Sequence, residues 1–451
     1  MITLTLRERL FVQGVFEDEE GRGIVEALKQ RFIMENPVYW DARRNRRPCK
    51  HIPRKIELIE FEGDLISLPR GAVGDVQKLL AGKDYRLVDM TALPEAQTLA
   101  LLAPLRPYQK EGVQQALEHR QGVIHAPTGS GKTVMALGIV AGLSTRALIL
   151  VHTSVLLEQT VAKVRQFLGI EPEVIRGDRF GVGRVTVAMV QTLRNKDSDG
   201  LRDSFGVVIL DEAHHCPAYT FQYIVQKFSA RYRIGLTATP TRKDKLHPIL
   251  FDVMGPIIYE VSPDALLLSG SLVRLRVVKV QTRCKVRGVK RNDYQKLIET
   301  LSRNIERNKL IAETVQKYHR HRSLVLSERI EHAHVLCDML CKKGLKAGLL
   351  TGETDPSQRQ AIVSRFAEGV VEILVATTAL LGEGFDLPSL DTVFIALPHG
   401  NPAKAVQTLG RVLRPAVGKG AGTIVDFEDH GIPLLRFHFL RRMRAYREFM
   451  R

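Results

Sequence analysis

Nowhere in the 451 residues does an apolar run of about 18 residues pass without charge, so no membrane-spanning helix is expected. The segment from Met1 through Phe16 holds Arg7, Glu8 and Arg9 where a secretory signal needs an unbroken apolar centre, which points to a cytoplasmic protein. Cysteine is scarce too. Cys49, Cys216, Cys284, Cys337 and Cys341 are odd in number and scattered, and only the last two share a spacing that metal ligands use. That pair is expected to face a helix-packing surface instead. Acid is short relative to base, with 49 Asp and Glu against 66 Lys and Arg, a net charge of +17. The imbalance argues against a small neutral substrate and for a polyanionic partner, nucleic acid before a membrane surface. An apolar content of 44% over this length supports two or three cores.

Against these absences stands one dense motif. From Ala126 to Thr133 the chain reads APTGSGKT, directly after the apolar run Gly122, Val123, Ile124, His125. A glycine-rich turn between strand and helix presents several backbone N–H groups and the positive end of the helix to a polyphosphate. Pro127, Thr128, Gly129, Ser130 and Gly131 are expected to wrap the phosphates, Lys132 to reach the β- and γ-phosphates, and Thr133 to hold Mg²⁺. Ala126 replaces the first glycine of the general pattern, which is tolerable where that backbone need not take positive φ. Further on, Asp211 to His214 read DEAH after Val207, Val208, Ile209 and Leu210. Two adjacent carboxylates at a strand tip suit phosphoryl transfer, where one acid holds metal and the other orients water.

Short β-type runs alternate with helical patterns in two blocks, the pattern of parallel sheets covered by helices. The first block offers strands at Gly122–Ala126, Ala147–Val151, Val185–Val190, Val207–Asp211 and Arg233–Thr237, with a helix at Lys132–Ala141. The second offers Ser323–Leu326, Ala347–Leu350, Glu372–Thr377, Thr392–Leu397 and Gly422–Val425, with a helix at Ile330–Lys343. Ligands are expected outside the carboxyl ends of such strands. Residues 1–95 lack this rhythm. A strand at Lys55–Phe61 and a helix at Val73–Leu80 suggest a small α+β domain ending near Pro94. Within it Arg43, Arg44, Arg46, Arg47, Lys50, Arg54 and Lys55 follow Tyr39 and Trp40. This is a pattern for gripping phosphates and stacking a base, and equally for a solvated loop with Trp40 in a core. Arg283, Lys285, Arg287, Lys290 and Arg291 precede a helix pattern at Tyr294–Leu301 and fit a DNA-facing hairpin or a charged connection. Arg436, Arg441, Arg442, Arg444 and Arg447 spread over more than one face of a final helix.

From Leu105 onward a series of short motifs, in order, resembles the superfamily 2 helicases. LRPYQKEGV, APTGSGKT, LILVHTSVLLEQT, VQTL, DEAH, GLTATP, ATTALLGEGFDLP and QTLGRVLR carry the likeness. The resemblance implies an α/β chain of two RecA-like doubly wound parallel-sheet domains, residues 96–265 binding ATP and 266–451 following, with residues 1–95 as an accessory nucleic-acid-binding domain. It implies that Tyr108 and Gln109 read adenine, that Asp211 holds Mg²⁺ and that Glu212 deprotonates the attacking water. Thr153, Gln191, Thr192, Thr377 and Thr378 would contact strand phosphates, which carry no sequence information. Gly384 and Asp386 would face the nucleotide. His214, Thr237, Thr239 and Gln407 would couple nucleotide state to strand binding, and Arg411 with Arg414 would reach the γ-phosphate.

TATP, the YQ pair and the N-terminal domain resemble the repair and recombination branch of XPB-like and phage UvsW-like branch-migration helicases. The expectation is an ATP-dependent helicase using Mg²⁺, a monomer in bacterial or phage-infected host cytoplasm. Its DNA would be branched or forked, single- and double-stranded: Holliday junctions, forks and displacement loops in recombination, repair or replication. A duplex translocase that does not unwind, an RNA helicase, and a nucleotide-regulated binding protein are the alternatives.

Overall fold

The computed structural model describes residues 2–15, 19–195, 199–241, 244–286, 293–378, 390–397, 408–416, 418–447 and 449–450. They divide into two compact units, one of residues 1–126 and 131–261, the other of residues 127–130 and 262–451.

The first unit is built on an eight-stranded sheet. Its order is Arg179–Phe180, Glu173–Arg176, Val185–Met189, Ala147–Val151, Val207–Asp211, Tyr232–Thr237, Gln121–His125 and Ile257–Glu260, all parallel except the first pair. Ala147–Val151 is buried at every position, as a strand covered on both faces must be. Helix Ser154–Leu168 starts where Thr153 Oγ1 accepts from Leu156 N at 3.2 Å and stops at Gly169, whose φ of 66° reverses the chain.

Also in this unit is a five-stranded sheet ordered Glu60–Glu62, Leu65–Leu68, Leu10–Gln13, Ile2–Leu6 and Tyr85–Asp89, antiparallel except for the last pair. The expected strand Lys55–Phe61 splits in two. Lys55–Glu57 pairs with Ile33–Glu35 in a separate ribbon, and Glu60–Glu62 joins the five-stranded sheet. Leu58 and Ile59 between them are both buried, which the alternation of a single strand does not permit.

The N-terminal sheet and the eight-stranded sheet share one continuous core, in which Leu4, Leu10 and Phe32 belong with Phe228, Leu250 and Val253. Two buried arginines tie them. Arg70 donates to Gln121 Oε1 at 2.9 Å, Arg7 O at 3.1 Å and Ala230 O at 2.7 Å. Arg233 donates to Glu8 O at 2.8 Å, Phe228 O at 2.9 Å and Val253 O at 3.3 Å. Burial lowers the pKa of both guanidiniums, Arg70 to about 10. Gly71 runs so close to helix His247–Met254 that a Cβ there would meet Phe251 O and Asp252 O. Arg31 adds an ion pair to Asp252 at 2.6 Å.

The second unit carries a fully parallel six-stranded sheet ordered Arg274–Gln281, Ala421–Glu428, Thr392–Ile395, Ser323–Ser327, Ile373–Thr377 and Ala347–Leu350. Buried ion pairs lace it. Arg307 grips both oxygens of Asp429 at 2.8 and 3.0 Å, and Arg442 grips Asp426 at 2.8 and 2.7 Å. Arg442 therefore faces inward from helix Pro433–Arg447 and leaves the basic set read from the C-terminal sequence. Cys337 is buried in the core as expected, whereas Cys341 is exposed. No helix among the described residues is long and apolar enough to cross a membrane.

Candidate nucleotide and strand sites

Three motif-bearing strands lie side by side in the first unit. Tyr232–Thr237, leading into TATP, sits between Gln121–His125, leading into APTGSGKT, and Val207–Asp211, leading into DEAH. All three are parallel, so their motifs emerge at one edge of the sheet.

In the phosphate loop Gly129 and Gly131 take φ of 92° and 78°, conformations that glycine adopts without steric cost. Ala126 does not, consistent with its replacing a glycine; its N–H donates to Thr237 O at 2.9 Å. Gln109 packs its carboxamide against Gly131, and its Oε1 accepts from Arg106 N at 3.0 Å, closing a capping box on helix Pro107–His119. Tyr108 is buried beside it, its hydroxyl 3.4 Å from Arg106 Nη1. Lys132 starts helix Lys132–Ala141 and donates to Ala126 O at 3.4 Å.

Glu212 stands in the left-handed region, φ 51° and ψ 51°, a strain of roughly 1–3 kcal/mol for a residue with a Cβ. Its N–H donates to Asp211 Oδ1 at 2.9 Å, and its carboxylate lies 3.4 Å from His214 Nδ1. The two acids differ in electrostatics. Burial, then the charge of Glu212, pushes Asp211 up to about 6, against the pull of Lys132 and Lys163. Burial works to raise Glu212 as well, yet the Lys132 ammonium and His214 hold it down to about 2. His214 also meets Thr237 Oγ1 at 3.2 Å, and that oxygen accepts from Thr239 N at 3.1 Å. A chain of polar contacts thus runs from Glu212 through His214 to the TATP turn.

Thr153, Gln191 and Thr192 follow the carboxyl ends of Ala147–Val151 and Val185–Met189, each with a local partner. Thr153 caps its helix, Gln191 donates to His152 O at 3.1 Å, and Thr192 Oγ1 accepts from Gly177 N at 3.3 Å.

Sequence reasoning missed Lys163, whose ammonium donates to Thr133 Oγ1 at 3.4 Å and whose charge reaches Asp211. It sits thirty residues from Thr133 on a separate helix, and no spacing announces it. The tilted ring contacts that join His152 through His215 to His214, with centroids 4.3 Å apart at each step, were also missed.

In the second unit Thr377 and Thr378 are buried at the end of Ile373–Thr377. With Tyr294, Glu328, Arg329 and Gly352 they line a cavity of about 360 Å³. Of these only the two threonines were singled out in the sequence. Arg411 and Arg414 are half-buried in and just after the helical turn at 408–412. Lys419 closes that turn, its Nζ donating to Val412 O at 2.6 Å, Arg414 O at 2.8 Å and Leu390 O at 2.6 Å. Gly384, Asp386 and Gln407 lie outside the described residues, as do Arg287, Lys290 and Arg291.

Comparison with known proteins gives two family matches. Residues 102–242 match the family described as Type III restriction enzyme, res subunit, and residues 306–416 the helicase conserved C-terminal domain. The DNA 3'-5' translocase XPB2 of Sulfurisphaera tokodaii is 28% identical over 351 residues, 69% of this chain and 78% of that protein. Probable helicase D10 of Escherichia phage T5 is 28% identical over 328 residues, 72% of this chain and 71% of its own. Among solved structures, a fragment of a putative HsdR subunit of a type I restriction enzyme from Vibrio vulnificus aligns over 75% of this chain and 66% of its own. Its TM-score is 0.59 at 23% identity, a likeness of fold.

Proposed function

Because the chain belongs to the superfamily 2 helicases, as an ATP-hydrolysing member of the DNA helicase and translocase group, we propose that it remodels branched DNA. Holliday junctions, forks and displacement loops in recombination, repair or replication are its substrates, met in bacterial or phage-infected host cytoplasm by a monomer. One observation carries this reading. The basic segment 43–55 lies in the same unit as the sheet whose strand Gln121–His125 leads into the ATP loop, so a second polyanion-attracting surface belongs to that unit. Branched DNA is the substrate that offers separate arms to separate surfaces.

In this reading the backbone of Pro127 to Gly131 and the Lys132 ammonium carry the nucleotide phosphates. The Thr133 hydroxyl and the Asp211 carboxylate are hard oxygen donors that share Lys163 as a neighbour, a set that suits Mg²⁺. That ion, when bound, neutralises phosphate charge. Glu212, kept ionised by Lys132 and His214, orients the water and takes its proton. Arg411 and Arg414 add positive charge at the transferred group. Gln109, with Tyr108 packed beside it, reads adenine, while Gly384 and Asp386 complete the nucleotide contacts. Thr153, Gln191, Thr192, Thr377 and Thr378 hold strand phosphates. His214, Thr237, Thr239 and Gln407 transmit the state of one site to the other.

A second reading, movement on duplex DNA without unwinding, draws support from the description of the Sulfurisphaera relative as a translocase. Steady-state ATP hydrolysis with no polymer, single strand, duplex, four-way junction and matched RNA separates these. Strongest stimulation by the junction is expected. Equal stimulation by duplex favours the second reading, and stimulation by RNA alone overturns both. Lys132→Ala and Glu212→Gln should each lower turnover by roughly 100-fold or more, with DNA binding largely retained; near-normal turnover in either removes the active-site assignment.

A further inference from the structure

Residues 33–57 form a small projection on the first unit. The ribbon of Ile33–Glu35 and Lys55–Glu57 carries helix Pro37–Arg44 at its end. Buried Asn36 organises it: its Oδ1 accepts from Val38 N at 3.0 Å to start the helix, and its Nδ2 donates to Pro53 O at 2.9 Å to bring the basic loop home. Trp40 stands on this helix, part-exposed and outside the core. The guanidiniums of Arg54 and Arg43 lie 5.2 and 5.8 Å from its ring centre, and its indole N–H donates to Glu35 at 2.6 Å.

Beside the indole opens a groove of about 780 Å³, within the roughly 300–1,000 Å³ of ordinary ligand clefts. Pro37, Val38, Trp40 and Arg44 line one side, and Asp244 with exposed Lys245 lines the other. Lys245 belongs to the connection that follows the TATP turn, and its backbone takes φ of 61°. The two acids on the helix side are engaged, Glu35 by Trp40 and Arg54, Asp41 by Arg47 and Asn45. Arg44, Arg46 and Lys50 are exposed and make no ion pair among the described residues. The groove therefore offers an aromatic plane, apolar walls and positive charge in excess on the helix side, while on the far bank Lys245 stands beside Asp244.

We propose that this groove binds single-stranded nucleic acid, an unpaired base stacking on Trp40 while neighbouring phosphates meet Arg44 and Lys245. Duplex DNA keeps its bases stacked on one another and cannot present a face to the indole, whereas every base of a single strand has a face to offer. The assignment rests on the reading of the chain as a DNA motor and places strand-type selection in the N-terminal projection.

Trp40 is the single tryptophan of the protein, so the intrinsic fluorescence of the whole chain reports on this groove. The experiment titrates the full-length protein with a short oligo-dT, a duplex of matched charge and heparin, while anisotropy of labelled oligonucleotides measures binding independently. Saturable quenching by oligo-dT, absent with duplex and heparin at equal occupancy, is the expected result. Trp40→Ala should weaken oligo-dT binding roughly 5- to 150-fold, the range for one lost base stack, and Trp40→Phe should recover most of it. Unchanged fluorescence while anisotropy shows oligo-dT fully bound overturns the groove and leaves the motor reading standing. Equal quenching by duplex or heparin also overturns it, because charge alone then accounts for occupancy. Absence of DNA binding by anisotropy, together with ATP turnover indifferent to DNA, brings down the motor reading itself.

Discussion

His332 illustrates how a single side chain in the second unit can set a pH limit on the whole. It is buried between Ser327 Oγ and Asn308 Oδ1, each 3.0 Å from a ring nitrogen. Asn308 spends its own N–H on Ser302 O and can only accept, so Nε2 carries the proton and Nδ1 accepts from Ser327. Burial, with Arg307 adding to it, lowers the imidazole from its ordinary 6.5 to about 3. Above 6.5 the folded and unfolded states are both neutral, and this group leaves stability independent of pH. Below 6.5 the unfolded chain takes up a proton that the folded one refuses until about pH 3, so stability falls with falling pH across that window. Between pH 7 and 5.5 the loss from this residue is about 1 kcal/mol. Urea denaturation at the two pH values, compared with His332→Gln, should show that part of the loss disappear in the variant.

At the level of elements, the helical turn at 408–412 is held by a lysine placed beyond its end. Lys419 gives its ammonium to three carbonyls, and Gly422 lies so close that a Cβ there would meet Val412 O. Burial lowers the Lys419 ammonium to about 8, yet the three acceptors consume all its donors. Removing that anchor should leave Arg411 and Arg414 loosely placed. Lys419→Met is expected to reduce kcat between about tenfold and hundredfold, the scale of an ångström-sized misplacement, with KM for ATP little changed; unaltered kcat speaks against the anchoring role. Most central strands of both parallel sheets were legible in the sequence, because strands covered on both faces read as unbroken apolar runs such as Ala147–Val151. Two edge strands, Ile257–Glu260 and Arg274–Gln281, were not, since their partial burial leaves a weaker pattern. Of the site, the loop and the DEAH pair were legible because their chemistry is written in consecutive residues. Lys163, His215 and Lys419 were not, since each acts through a contact that only the folded chain creates.

For the molecule as a whole, the N-terminal ninety residues are part of the first motor body. They share its core, and Arg70, Arg233 and the Arg31–Asp252 pair hold them to it. A chain begun at residue 96 would uncover Leu250 and Val253 and leave Arg233 buried without Glu8 O. Losing a hydrogen bond to a charged group of this kind costs about 1.5–3 kcal/mol, on top of the exposed apolar face. Such a truncation should aggregate or unfold at temperatures where the full chain is monodisperse, as size-exclusion and thermal melting would record; a well-behaved fragment would show the two sheets to be separable. The two arginines also grip in an unusual way, because most of their acceptors are main-chain oxygens: Arg7 O, Glu8 O, Phe228 O, Ala230 O and Val253 O. Every amino acid supplies that oxygen. Through descent, then, Arg7 and Glu8 can change side chain and still supply their oxygens, while Phe228, Ala230 and Val253 are held by the core they fill and the polar constraint falls on Arg70, Arg233 and the bare backbone of Gly71.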